Sequence, residues 1–116
     1  MYLSMYVPKP KPGVISIGTF TKVEGNIPGD TVILDVRTDE ETEEGKIAGA
    51  IAIPTDEVFE RLDEIPKDKK VFVHCSTGIR AEMAYMTLKE KGYAANYLDA
   101  NITVASSGEY TISEKE

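Results

Sequence analysis

The chain has 116 residues, 41% hydrophobic and 28% charged, which suits one globular domain with a real core and leaves no room for a second. Its formal net charge of −7 argues against nucleic acid and anionic membranes as partners. Apolar runs stop after a handful of residues, too short for a bilayer span, and MYLSMYV lacks the basic and long apolar regions of a signal peptide. The expected location is cytoplasmic, with export the alternative for a processed or excised chain. A single cysteine excludes an internal disulfide, and no cluster of residues has metal-ligand spacing.

In chain order, PKPKPG (8–13) lacks alternate N–H donors and reads as the extended end of a Pro-rich N-terminal arm over 1–13. A single domain is expected over 14–116. VISI (14–17) reads as a short strand, and VEGNIPGD (23–30) is rich in turn residues. TVILDV (31–36) is nearly all apolar, as a central parallel strand is. In TDEETEEG, Thr38 and Glu41 stand at capping-box spacing, the acidic first turn suits the helix dipole, and Gly45 ends the helix. The Glu-rich run 40–44 reads as a solvated helix face rather than paired catalytic carboxylates.

AIAI (50–53) is another short buried strand, closed by Pro54. TDEVFERLDEI places Val58, Phe59, Leu62 and Ile65 at helical spacing behind Thr55 as N-cap. KVFVHC (70–75) is the next strand. RAEMAYMTLKEKG (80–92) is a helix with Ala81, Ala84, Tyr85 and Leu88 on one face and Gly92 just past its end. ANYLDA (95–100) is a final short strand. Strands alternating with helices predict an α/β domain with a central, mainly parallel sheet and helices on both faces. The tail, ITVASSGEYTISEKE, reads as a hairpin or extended arm.

HCSTGIRAE (74–82) holds the only cysteine and the only histidine of the chain. Cys75 ends a strand and a helix opens just beyond it, where parallel sheets bind ligands. The intervening STGI can curl its N–H groups inward into an anion nest, and the helix N-terminus adds further donors. Gly78 supplies the positive φ that a tight curl needs. Such a cradle favours the thiolate, the nucleophilic form, and Arg80 offers fixed N–H donors to an anionic group. The device suits a thiolate attacking an anion.

Structural roles compete with each of these. A lone cysteine at a strand end is ordinarily a small buried hydrophobe, and Arg80 could simply pair with a carboxylate on its own helix. Strand alternation points His74 to the face opposite Val73 and Cys75, so it reads as a core or supporting histidine rather than a base. Asp35 and Arg37 lie two apart on one strand-end face and suit an ion pair.

CSTGIRA resembles the active-site loop of the rhodanese-like sulfurtransferases, C-x-x-G-x-R-[AS]. LDVRTDEETEEGKIAGAIAIP (34–54) resembles their other signature, D-V-R-x-x-x-E-(x)-G-H-I-x-G-A-x-N-I-P, and LKEKGYAANYLDA resembles the segment after the active-site helix. The resemblance covers 31–100. It implies a rhodanese-like domain that moves sulfane sulfur by a ping-pong route with neither metal nor organic cofactor. Carried onto this chain, Cys75 is the nucleophile that becomes a persulfide, and the amides of Ser76, Thr77, Gly78, Ile79 and Arg80 cradle it. Arg80 also closes the loop and binds an anionic donor, with Asp35 and Arg37 supporting the pocket. The implied donor is thiosulfate or a persulfide and the implied acceptor cyanide or a thiol; a protein is a further candidate for either part.

The chain departs from the pattern in two places. The usual G-H-I is Gly45-Lys46-Ile47, and the usual glycine pair and Trp-bearing short helix give way to LDANITVASSGEY in a chain without tryptophan. Two other functions stand beside sulfur transfer. Rhodanese-like domains without the cysteine serve as binding modules, but this chain keeps Cys75, Gly78 and Arg80. Dual-specificity phosphatases resemble rhodanese, but their loops are one residue longer between Cys and Arg. The shorter ring here suits one sulfur atom better than a phosphoryl group.

Overall fold

Continuous apolar runs at TVILD and KVFVH become the two inner strands of a sheet, because strands buried on both faces need apolar side chains on both. The computed structural model describes residues 11–23 and 26–115. Its main sheet holds β1 (Val14–Ile15), β2 (Thr31–Asp35), β3 (Ile51–Ala52), β4 (Lys70–His74) and β5 (Ala94–Leu98). Their order is β1-β5-β4-β2-β3, and every pairing is parallel. The register sets Leu34 opposite Val73 and Asp35 opposite His74, so β2 and β4 end side by side.

Strand alternation divides the core in two. Leu34, Val71 and Val73 face α3 (Ile79–Glu90), meeting its Ala84, Tyr85 and Leu88. Ile33 and Phe72 face the opposite side, where they meet Phe20 and Val23 of α1 (Ile17–Val23). Helices therefore cover both faces, as the alternating pattern predicts. Among the described residues no helix is long and apolar enough to cross a membrane.

Four segments depart from the sequence reading or complete it. The strand expected over 14–17 stops at Ile15. Ser16 then accepts the Thr19 N–H at 3.1 Å and starts α1, which has no counterpart among the expected elements. Burying Phe20 completely contributes ~1.5–3 kcal/mol, enough to hold a seven-residue helix that is marginal alone. The helix expected over 55–65 is instead two 3-10 segments, Thr55–Glu57 and Phe59–Glu64, with a kink at Arg61. Thr55 does not cap it: its hydroxyl donates to the Val36 carbonyl at 2.8 Å, and Pro54 holds the cap position. Phe59 is exposed to solvent, under the Lys91 ammonium, rather than packed in the core.

The tail forms a hairpin, β6 (Asn101–Val104) with β7 (Tyr110–Ser113), whose Ile102 joins the α1-side core. The Pro-rich arm lies outside the described residues as far as position 10, as do residues 24 and 25 of the turn-rich segment.

Candidate active site

β4 delivers Cys75 to the C-terminal end of the sheet, and the chain must turn at once to begin α3. Gly78 makes that turn at φ 95°, and a β-carbon there would sit 2.7 Å from Asp99 Oδ1. Glycine is therefore required both by conformation and by space. The turn wraps the Cys75 sulfur, which is fully buried and accepts N–H groups from Gly78 at 3.1 Å and Ala81 at 3.3 Å. Ser76 and Arg80 are half-buried beside it, while Thr77 and Ile79 point to solvent.

Asp35 and Arg37 form the ion pair their spacing suggests. The guanidinium lies 2.7 Å from Asp35 Oδ2 and also donates to the Gly45 carbonyl at 2.8 Å. That second bond ties down the end of α2 (Asp39–Glu44), whose N-terminus carries the expected capping box between Thr38 and Glu41. Arg37 thus anchors the end of a short helix.

What α2 presents to the loop was not legible as a solvated face. Glu40, Glu43 and Glu44 are exposed as expected, but Glu41 turns inward. It accepts from Arg80 Nη1 at 2.6 Å and Nη2 at 3.2 Å, and from the Ser76 hydroxyl at 2.8 Å. Arg80 is therefore paired across the site with α2, not along its own helix. Hydrogen bonds from Arg80 hold the Glu41 carboxyl at about 2, against the opposing cost of burial and with help from Ser76 and the Thr38 amide. The same pair raises the Arg80 guanidinium above its ordinary value. The signal for Glu41 was present twice, as the third residue after the N-cap and as the acidic position of the D-V-R-x-x-x-E pattern.

His74 is fully buried on the far face, edge-on to Phe20, as alternation predicts. Its Nε2 lies 3.6 Å from Asp35 Oδ2, beyond hydrogen-bond reach. Burial pushes its pKa below the ordinary histidine value although the Asp35 charge opposes, so the ring is neutral and does not face the thiol.

Two depressions flank the Glu41–Arg80 pair. One, of about 390 Å³, is lined by Val36, Pro54, Asp56, Arg80 and Met83 among others. The other, of about 310 Å³, runs between Glu41, Ser76 and the hairpin residues Asn101 and Thr103. The hairpin supplies a wall in place of the usual C-terminal segment. It is bonded to the loop by Ile102 N–H to the Ser76 carbonyl at 2.9 Å. A larger depression between Pro12 and Met86 takes no residue from the loop.

Sheet, helix-bounded cysteine loop and D-V-R strand end together define a class, and comparison with known proteins agrees. The sequence model of the rhodanese-like domain matches residues 19–103, so this chain belongs to the rhodanese-like domain family. A sulfurtransferase of Allochromatium vinosum is 36% identical over 64 residues, covering 55% of this chain and 60% of that protein. A tRNA sulfurtransferase of Desulfurococcus amylolyticus is 31% identical over 83 residues, covering 72% of this chain but only 16% of its own length. The crystal structure of a rhodanese-like domain protein from Staphylococcus aureus superposes with a TM-score of 0.64 at 28% identity, covering 84% of this chain and 92% of that one.

Proposed function

We propose that this domain is a sulfurtransferase that carries a sulfane sulfur as a persulfide on Cys75. The observation that carries this reading is the Cys75 sulfur itself, held by two N–H groups at the opening turn of α3 with Arg80 alongside. Those donors stabilise negative charge on sulfur, which is the form that attacks and the form a persulfide leaves behind. In the first half-reaction the Cys75 thiolate attacks the outer sulfur of a donor. The donor S–S bond breaks as the new one forms, and sulfite or a thiolate leaves with the bonding pair. In the second, cyanide or a thiol attacks the outer sulfur of the persulfide, and the electron pair returns to Cys75. Splitting the transfer in this way replaces one difficult step with two easier ones.

The amides of Ser76, Thr77, Gly78, Ile79 and Arg80 are the proposed cradle of the persulfide, and the Ala81 amide joins them. Arg80 closes the loop, and Asp35 and Arg37 position it through α2. Ile79, Met83 and Met86 stand exposed on α3 next to the loop, which supports a protein as one of the sulfur partners. The test is intact-mass spectrometry after incubation with thiosulfate or an alkyl persulfide. A gain of one sulfur atom, lost on addition of cyanide with release of thiocyanate, is the expected result. No gain with either donor overturns the reading.

A further inference from the structure

We infer that Glu41 sets donor specificity, neutralising Arg80 so that the site disfavours dianionic thiosulfate and favours organic persulfides. This rests on the sulfur-transfer reading above. Arg80 is the only cation in the loop, and both of its terminal nitrogens are committed: Nη1 to Glu41, and Nη2 to Glu41 and the Ser76 hydroxyl at 3.2 Å. Ser76 is committed as well, because its own hydroxyl proton goes to Glu41.

The nearby cations do not make up the deficit. Arg37 is held by Asp35 and the Gly45 carbonyl, and the Lys46 ammonium donates to the Ala50 carbonyl at 2.9 Å. The remaining charged residues lining the two flanking depressions are Asp56 and Glu44. A thiosulfate dianion therefore meets Arg80 with the Glu41 carboxylate already on both of its terminal nitrogens and further carboxylates close by. Displacement of Glu41 is opposed from behind, since Glu41 Oε1 also accepts from the Thr38 amide at 3.2 Å and the Thr38 hydroxyl at 3.1 Å. Its low pKa keeps it ionised at any working pH.

An organic persulfide meets a different surface. It carries less charge than thiosulfate, and its carbon side can lie against Val36, Pro54 and Met83, which line the depression next to Arg80. Apolar contact then supplies binding that does not depend on a free cation.

The experiment measures the second-order rate of Cys75 persulfidation by mass spectrometry, with thiosulfate and with the persulfide of N-acetylcysteamine, in wild type and Glu41→Gln. The ratio of thiosulfate to persulfide rates should rise about tenfold in Glu41→Gln, because one full charge beside the site is removed. Asp56→Asn, at an exposed position, should raise the ratio about twofold as a more screened charge is lost. A purely structural role for Glu41 would slow both donors together and leave the ratio where it was. An unchanged or lower ratio in Glu41→Gln overturns the inference while leaving sulfur transfer standing. Failure of wild type to load from either donor overturns the function itself, and the inference with it.

Discussion

Arg37 and Arg80 each bond a carboxylate at the C-terminal end of the sheet, but the surroundings differ. The Arg37 side chain is 6% exposed and Asp35 0%, while Arg80 and Glu41 are 32% and 33% exposed. The inner pair is almost wholly buried, with Arg37 touching only the edge of one depression, and it fixes the chain: Arg37 bridges β2 to the end of α2. The outer pair borders two depressions, so its charges face whatever enters. One spacing rule, a carboxylate near an arginine, therefore covers two energetic regimes. Removing one member of a buried pair strands a charge and costs ~3–5 kcal/mol, whereas an exposed pair contributes ~0–1 kcal/mol.

Substitutions should separate these regimes, with the largest effect expected at the proposed nucleophile. Cys75→Ser should abolish sulfur transfer and leave urea denaturation nearly unchanged, because serine fits the space but does not supply an accessible anion. Thiocyanate release measures the first part, and persistent release removes Cys75 from the mechanism. Asp35→Ala should cost ~3–5 kcal/mol of stability by leaving Arg37 buried without its partner, read as a lower denaturation midpoint. Arg80→Ala should move that midpoint by under ~1 kcal/mol while slowing persulfidation roughly tenfold. If Arg80→Ala is the more destabilising of the two, the division between a buried structural pair and a half-exposed one fails.

The smallest effect concerns pH. His74 is neutral in the fold, with its pKa lowered from 6.5 chiefly by burial. The unfolded chain takes up a proton at that site before the native chain does, so stability should fall as pH drops below 6.5 toward the folded value. His74→Leu should flatten this slope in denaturation midpoints measured across the window. Glu41 contributes in a separate window: its stabilisation is complete above 4.5 and is lost as pH falls toward 2. A slope near neutrality that survives His74→Leu would assign it to another group.

Legibility in the sequence followed the strength of local signals. β2, β4 and α3 were readable because unbroken apolar runs and a one-sided helix face admit few alternatives. The capping box was readable because two side chains three residues apart satisfy each other's backbone. α1 was not, since Gly18, Thr19 and Thr21 are poor helix formers and the helix is held by the tertiary burial of Phe20. The 3-10 segments escaped notice because the Thr55 hydroxyl, which reads as a cap, is claimed by the Val36 carbonyl just past β2. At the site, the loop and the Asp35–Arg37 pair were legible from neighbouring positions. The contact of Glu41 with Arg80 joins residues 39 apart and depends on where the fold places α2.

The hairpin bears on how freely the loop can move. Its Ile102 amide holds the Ser76 carbonyl, and Gly45 faces the Ala105 carbonyl with no space for a β-carbon between them. Surface loops ordinarily keep their freedom until something binds. This one is pinned between two distant stretches of chain, so the entropy of arranging its N–H groups is lost once, at folding. On the proposed reading, a sulfur atom arriving at Cys75 would meet dipoles that are already oriented, with little reorganisation between the thiolate and the persulfide.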